Sequence, residues 1–566
     1  MEQALRSPWK WGLYFLCLII SLLSLAILLA AAGLLLYYAL VLVASVYERN
    51  LPAVFGKTVG GETTGPRSTK PNIVIISVDD LGWNDVSFHG YSQISTPNID
   101  RLAHEGVILN SFYAQSACTP SRSALMTARY PIRYGLQHDV IRNGEPRGLP
   151  VSEKILPQYL KELGYSTHLF GKWHLGYYQT KMLPTSRGFD SFFGCHGPSL
   201  HHFNHTFTKT GNDDFHGLDL WNDTEPARNL TGQYITHVLT DVAVQRIAHH
   251  NFVQPLFVYL SHNAPHASSG SSNLDVPQEY VERFPNISHM GRRKYAGMVS
   301  ALDDSVGKVV QALEQREELN NTVIVFLSDN GGGGEEQSFL RETLITYANN
   351  WPLRGAKMTQ FEGGVRVTAF VWSQLIQKPR RVSTELYHIT DLLPTLLYLA
   401  GGAANSSDKL DGQNLWTSLS EDLPSPRTEL LIQADPIYGE YALRWNQYKI
   451  ISGLYVNNDG QTADDWYEPS GGLNTSLLTD APGRLHCNAT KMTLCLPDIM
   501  PCLFDVVVDP CERINIALEH PEIIKLMMDK VNFYNSSASP PGNVLIDERS
   551  NPKHYGGLLA PWGDST

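Results

Sequence analysis

Basic charge is in short supply: 44 lysines and arginines face 56 aspartates and glutamates, a formal net charge of −12 at pH 7 across 566 residues. That deficit argues against a general nucleic-acid binder, which neutralises phosphates with surplus Lys and Arg; an acidic glycoprotein of the secretory route fits better. Charge of either sign is missing from Trp11 to Tyr47, with Arg6 and Lys10 before the run and Glu48 and Arg49 after it. A helix crosses a bilayer with about 20 apolar residues, so the run is long enough to span. Positive charge on its short N-terminal side keeps that end in the cytosol and sends the rest to the lumen or outside. Residues 1–49 are therefore expected to form a cytosolic tail and uncleaved signal anchor, as in a single-pass type II membrane protein. The rival is a signal peptide cleaved at "AAAG" (Ala30 to Gly33), which would leave the apolar "LLLYYALVLVASV" exposed. Repeats of solenoid period are absent as well.

Cysteine is scarce, with seven in the chain. Cys17 lies in the apolar run, and Cys487, Cys495, Cys502 and Cys511 cluster near the C-terminus, where they can form two disulfides in three possible pairings. Cys118 and Cys195 remain, and the simplest account of them is a third disulfide. Acceptors for N-glycosylation stand at Asn204, Asn222, Asn229, Asn286, Asn320, Asn405, Asn474, Asn488 and Asn535. Downstream of a membrane segment they mark a lumenal chain.

Residues 50–70 are rich in Gly, Pro and Thr and read as a linker. "NIVIISVDD" then supplies a continuous β-branched run of the kind buried within a sheet. "TPNIDRLAHEGVIL" reads as a helix capped by Thr96 with Pro97 in its first turn. "KILPQYLKELGYSTHLFGKWHLG" gives a helix ending near Gly164 and then a strand; "PLFVYLS" and "TVIVFLSDNGG" are further buried strands around the long amphipathic helix of "RRKYAGMVSALDDSVGKVVQALEQ". This alternation implies an α/β domain with helices on both faces of the sheet and ligands beyond the carboxyl ends of its strands. The pattern changes near residue 405. Beyond it, short strands with Asn/Asp/Gly turns imply a smaller, mainly antiparallel C-terminal domain over 406–566.

The acidic pairs Asp79–Asp80 and Asp329–Asn330 both end strands. Adjacent carboxylates repel unless a cation or proton is shared, and Asp/Asn oxygens suit a hard divalent ion such as calcium or magnesium. In "GKWHLG", Lys172 and His174 are two residues apart, which in an extended segment places them on one side. "SHNAPH" offers His262 and His266, and "NWPLRGAKMTQFEGG" supplies Arg354 and Lys357. Taken alone, these residues describe an anion site of unspecified kind.

The stretch "SACTPSRSALMTARYPIRYGLQH", beginning at Ser116, narrows that description. Its "CTPSR" resembles the modification motif of the sulfatase family, and so do "PNIVIISVDDLGWNDVSFHG", "TPNIDRLAHEGV", "LFGKWHLG", "RRKYAGMVSALDDSVG", "SDNGG", "NWPLRGAK", "EGGVR" and "LDGQNLW", spread over residues 70 to 520. Within the family the likeness is to the arylsulfatase B branch, which includes N-acetylgalactosamine-4-sulfatase. The resemblance implies a large alkaline-phosphatase-like α/β domain over 71–405, with a mixed, mostly parallel sheet between helices, and a smaller C-terminal antiparallel-sheet domain. It implies that a formylglycine-generating enzyme oxidises Cys118 to formylglycine during secretion. One Ca2+ is implied on Asp79, Asp80, Asp329, Asn330 and the modified Cys118. Arg122 and Lys172 match residues that hold the hydrated aldehyde and the sulfate, His174 the base that deprotonates its second hydroxyl, Lys357 the lysine beside the bridging oxygen, and His266 the donor to the leaving alcohol.

The implied substrates are sulfated N-acetylgalactosamine-type glycans or aryl sulfates, and the implied compartment is the lysosome, with endoplasmic reticulum, Golgi or cell surface as alternatives for an anchored form. Three departures from the family pattern stand out. Ala128 replaces a glycine in "LMTAR", "HASSGSSN" stands where a proline usually follows the histidine, and the segment from Asn330 to Trp351 is long, with "GGGEEQSFLRETLITYANN" expected at the substrate entrance. The competing readings are a phosphatase or phosphodiesterase of the same superfamily, which would favour a Ser or Thr nucleophile and two metals, and a catalytically silent membrane glycoprotein.

Overall fold

"NIVIISV" forms the central strand of a ten-stranded sheet, and all of its residues are buried. The computed structural model describes residue 16 and residues 18–24, 66–90, 93–209, 212–269, 274–334, 346–453, 465–470, 481–487 and 491–564. The chain divides into two units, Met1–Glu62 and Thr63–Thr566, and the sheets belong to the second. The expected signal anchor falls almost wholly outside the described residues, as do most of the 50–70 linker, the sequons at Asn474 and Asn488, and residues 335–345 of the expected entrance segment. Among the described residues no helix is long and apolar enough to cross a membrane.

The sheet contains β1 (Asn72–Val78), β2 (Val107–Leu109), β3 (Ser166–Gly171), β4 (Ser191–Gly194), β5 (Trp221–Asn222), β6 (Glu225–Pro226), β7 (Leu256–Ser261), β8 (Thr322–Ser328), β9 (Ala369–Trp372) and β10 (Arg381–Ser383), in the order β10-β2-β9-β8-β1-β7-β3-β4-β5-β6. The run β8-β1-β7-β3-β4 is parallel, and β9 and β5 join its flanks antiparallel. Register aligns Ser77 with Ser261 and Val78 with Ser328. The residues that follow β1, β7 and β8 therefore leave the sheet along one edge.

Helices α1 (Pro97–Glu105), α2 (Cys118–Thr127), α3 (Leu156–Glu162), α4 (Ile235–His249), α5 (Met290–Gln315) and α6 (Leu392–Leu399) accompany the sheet. Ile73 and Ile75 of β1 share one apolar cluster with Ala124, Leu125, Leu156, Leu160, Leu393 and Leu396 of α2, α3 and α6. Helix α4 packs on β3 and β7 and against α5. Thr96 stands at the start of α1, but its hydroxyl donates to Asp100 Oδ1 (2.7 Å) and leaves the helix donors alone. The amides of Asn98 and Ile99 donate instead to Asp303 of α5, at 3.2 and 2.9 Å. A carboxylate on another helix thus does the capping, which local sequence could not reveal.

Burial raises the Asp303 carboxyl to about 6, despite those donors. Its folded value lies above its unfolded one, so the folded state holds the proton more tightly, and this site's contribution is fully present below about pH 4 and lost as pH rises through about 6. Urea titrations across that window should show a negative slope of stability against pH that Asp303→Asn flattens.

A four-stranded antiparallel sheet, β11 (Glu429–Asp435), β12 (Glu440–Trp445), β13 (Tyr448–Ser452) and β14 (Cys502–Asp505), comes next in sequence. Leu431, Leu443, Ile450 and Leu503 pack with Met527 and Val531 of α7 (Pro521–Ser536). Disulfides join Cys487 to Cys511 and Cys495 to Cys502, which selects one of the three pairings. Cys118 and Cys195 are free and buried, so the third disulfide does not form. The chain then returns to the main body: the amides of Ser539, Gly542, Asp547 and Leu559 donate to the carbonyls of Ile132, Gly135, Gly144 and Leu218 at 2.7 to 3.0 Å.

Candidate active site

Helix α2 begins at Cys118 itself, which sets the thiol beside the strand ends. Asp79 and Asp80 follow β1, Lys172 follows β3, and Asp329 and Asn330 follow β8. Ligand atoms of Asp79, Asp80, Cys118 and Asp329 lie within 4.8 Å of one another, and all four residues are buried. Cys118 Sγ donates to Asp79 Oδ1 (3.3 Å) and accepts from Lys357 Nζ (3.2 Å). Lys357 Nζ also donates to Asp80 Oδ1 (2.6 Å), and Lys172 Nζ to Asp79 Oδ2 (2.5 Å). Arg122, one helical turn beyond Cys118, donates through Nε to Asp329 Oδ2 (2.9 Å) and through Nη1 to Ser261 Oγ (2.5 Å).

Burial pushes the Cys118 thiol up to about 12, and Asp79 adds to the effect, so the group stays protonated and is a poor thiolate nucleophile. Burial also raises Asp329, to about 6, with Asp79 repelling it. Burial alone would raise Asp79, but Lys172, then His266 and Arg122, hold it well below the usual carboxylate range. Burial works against the Lys357 ammonium, yet Asp80 and Asp79 keep it charged.

Three carboxylates, Asp79, Asp80 and Asp329, thus face three cations, Lys172, Lys357 and Arg122. Asp80 Oδ2 and Asn330 Oδ1 are buried without a hydrogen-bond partner, while Asn330 Nδ2 donates to Asp80 Oδ1 (2.7 Å). Oxygen donors left unpaired in a buried carboxylate cluster fit a hard divalent cation. With it the site carries a net positive charge toward an anionic ester.

A cleft partly open to solvent is lined by Cys118, Lys172, His174, His266 and Lys357 together with Asn143 and Phe207. Lys172 and His174 do meet there, by a different route from an extended strand. The strand stops at Gly171, whose φ is +113° and where an added Cβ would sit 1.8 Å from the Ser261 carbonyl. His174 is itself left-handed, with φ of 55°, as is Asp80 with φ of 64°. Backbone strain of this kind is concentrated at functional sites. Nε2 of His174 donates to the Ile141 carbonyl (2.9 Å), and Nδ1 is buried without a partner. Burial and Lys172 hold the ring well below its ordinary value. The result is a neutral imidazole with a free lone pair, suited to accept a proton.

His266 reaches the cleft with Nδ1 donating to the Ala267 carbonyl (2.7 Å) and Nε2 3.6 Å from Asp80 Oδ2. His262 is buried against Ser305 Oγ (2.9 Å) and does not line the cleft. Arg354 lies over the rings of Phe361 and Trp466 at 4.1 and 4.7 Å, a packing role. Ala128 closes α2 in the left-handed conformation, with φ of 57°. That conformation explains the glycine of the family motif, since a Cβ there costs about 1–2 kcal/mol. The wall residues Asn143 and Phe207 carry no motif or periodicity that sequence reading could have used.

A sulfatase family model matches residues 71–403. Arylsulfatase J of Mus musculus is 36% identical over 514 residues, covering 88% of this chain and 81% of that protein. N-acetylgalactosamine-6-sulfatase of Homo sapiens is 30% identical over 496 residues, 83% and 86% of the two chains. Among solved structures, Ps i-CgsB matches with a TM-score of 0.67 at 29% identity over 84% of this chain and 94% of its own. The PsFucS1 sulfatase from Pseudoalteromonas sp. matches with a TM-score of 0.62 at 25% identity over 84% and 92%. A divalent metal ion and a formylglycine are general to this family, and the buried carboxylate cluster beside Cys118 suits both. With that site and these likenesses together, the chain belongs to the sulfatase family, whose enzymes hydrolyse sulfuric esters.

Proposed function

We propose that this protein is a calcium-dependent hydrolase of sulfate esters on N-acetylgalactosamine-type glycans, also able to cleave small aryl sulfates, that works through a formylglycine made from Cys118. The observation that carries the reading is the Cys118 side chain set between Asp79 and Lys357 at 3.3 and 3.2 Å, in a cleft that it shares with Lys172, His174 and His266. A phosphatase of the same superfamily would place a hydroxyl there.

Asp79, Asp80, Asp329 and Asn330 would hold the calcium ion, with the oxidised Cys118 beside it; the ion supplies Lewis-acid activation and positive charge. The hydrated aldehyde made from Cys118 would supply two hydroxyls, one as nucleophile toward sulfur and one for release of the sulfate. Lys172, Lys357 and Arg122 offset the charge on the sulfuryl oxygens. His266, when both ring nitrogens are protonated, gives its Nε2 proton to the departing alcohol and is left with the Nδ1 proton that the Ala267 carbonyl holds, and Lys357 Nζ stands beside the bridging oxygen. His174 Nδ1 takes the proton of the second hydroxyl, its tautomer fixed by the Ile141 carbonyl. The apolar N-terminal run and the glycosylation acceptors support delivery to the secretory lumen, with the lysosome as the working compartment.

The test is expression through a secretory pathway, mass analysis of the Cys118 peptide, and assays on defined sulfated disaccharides. Conversion of the thiol to the aldehyde lowers the peptide mass, and turnover should fall on chelation and return with Ca2+ better than with Mg2+. A fully unmodified thiol in secreted, inactive protein would overturn the reading.

A further inference from the structure

Farther along the cleft, Asn143 carries an amide that takes no part in the steps of ester cleavage. The residue is 4% exposed and lines the cleft, yet neither its Oδ1 nor its Nδ2 has a hydrogen-bond partner. Leaving a buried amide unsatisfied on both sides is costly, so such a group is retained where something else completes it. The loop that carries it is braced throughout. Ile141 N donates to Thr119 Oγ1 (3.1 Å), Arg147 Nη2 to the Val140 carbonyl (2.8 Å), and Asp547 N to the Gly144 carbonyl (2.8 Å). Behind the amide lies Gly197, where an added Cβ would fall 2.5 Å from Asn143 Oδ1. Asp219 fixes that glycine by accepting from its amide at 2.8 Å. Phe207 and Pro198 give the same cleft an apolar surface.

The geometry points to Asn143 as a specificity residue: its amide receives one donor and one acceptor from the sugar that bears the sulfate, and the C–H faces of that sugar rest on Phe207 and Pro198. The matching group on the sugar is an acetamido or a pair of ring hydroxyls, each of which both donates and accepts. This rests on the sulfatase reading. It deepens it by making a sulfated sugar, and not an aryl sulfate, the ligand for which the cleft is built, because an aryl ring would leave the buried amide unpaired.

The experiment compares kcat/KM for N-acetylgalactosamine sulfate, galactose sulfate and 4-nitrophenyl sulfate in the wild type, Asn143→Ala and Gly197→Ala. Asn143→Ala should lose at least about tenfold more on N-acetylgalactosamine sulfate than on the aryl ester, mainly through KM. Gly197→Ala, which displaces the amide while keeping it, should reproduce that selective loss and serves alone if Asn143→Ala does not fold. If the acetamido is the partner, galactose sulfate is already poor in the wild type and loses little further; if hydroxyls are, the two sugars lose alike. Equal losses on sugar and aryl substrates in either variant would overturn the proposal by showing a structural role. Wild-type activity on aryl but not sugar sulfates would also overturn it, whereas a wild type inert on all sulfate esters removes the sulfatase reading itself.

Discussion

Cys118→Ala is expected to lower kcat on every sulfate ester by roughly 10⁴-fold or more, the scale on which enzymes lose rate when their nucleophile is removed. The effect should be chemical and not structural. The side chain is buried at the first turn of α2, and alanine keeps both the helix and the carboxylates around it. Cys118→Ser should rescue little: serine brings one hydroxyl where release of sulfate needs a second, and water would have to attack a hindered sulfur. The other free thiol provides the control. Cys195 is buried, with Asn263 Nδ2 donating to its sulfur at 3.3 Å, and Cys195→Ala should keep kcat within a few-fold. Steady-state assays of the three variants, with circular dichroism to verify folding, decide the matter; a Cys118→Ala protein retaining even a hundredth of the wild-type rate would take the residue out of the chemistry.

The largest stability effect is expected from Lys449→Met. Lys449, Glu362 and Glu512 are fully buried, and the ammonium bridges the two carboxylates at 2.9 Å each. Removing one partner of such a cluster leaves uncompensated buried charge and costs about 3–5 kcal/mol. Arg366, 3.2 Å from Glu362, compensates only that side. Burial raises Glu512 to about 7 even with Lys449 beside it. Losing Lys449 moves Glu512 up further, so the loss should be smaller at about pH 5, where its protonation costs nothing, than at about pH 8, where taking up the proton is itself costly. Guanidinium melts at the two pH values measure both numbers. The damage should also reach the site, because Glu362 opens the "EGGV" turn, and the Gly364 carbonyl of that turn accepts from Gly331 N at 2.9 Å, next to Asn330.

Such long-range links explain why parts of the site are legible in sequence and parts are not. Asp79, Asp80, Asp329 and Asn330 can be found because each ends an unbroken apolar strand, and parallel strands deliver their carboxyl ends to one edge. Cys118 and Arg122 can be found because one motif carries both. Lys172 and His174 do share a face, but not through the extended geometry that their spacing suggests, since the positive φ at Gly171 and His174 leaves no local signature. The family resemblance already selects His266 over His262, and the packing of His262 on Ser305, forty-three residues away in the chain, supplies the physical reason. Asn143 sits in an aperiodic loop whose supports come from Thr119, Gly197 and Asp547, and nothing within its own segment marks it.

The backbone bonds from Ser539 to Leu559 onto the carbonyls of Ile132, Gly135, Gly144 and Leu218 also make one wall of the cleft depend on a segment far along the chain. Helix α2 and the strands that carry the carboxylates precede Asp547 in the sequence, whereas the loop with Asn143 takes one of its three braces from that later segment. A chain cut before Asp547 would keep Cys118 and the carboxylate cluster but lose one of the bonds that hold the loop of Asn143, so the two halves of the cleft depend on separate stretches of sequence.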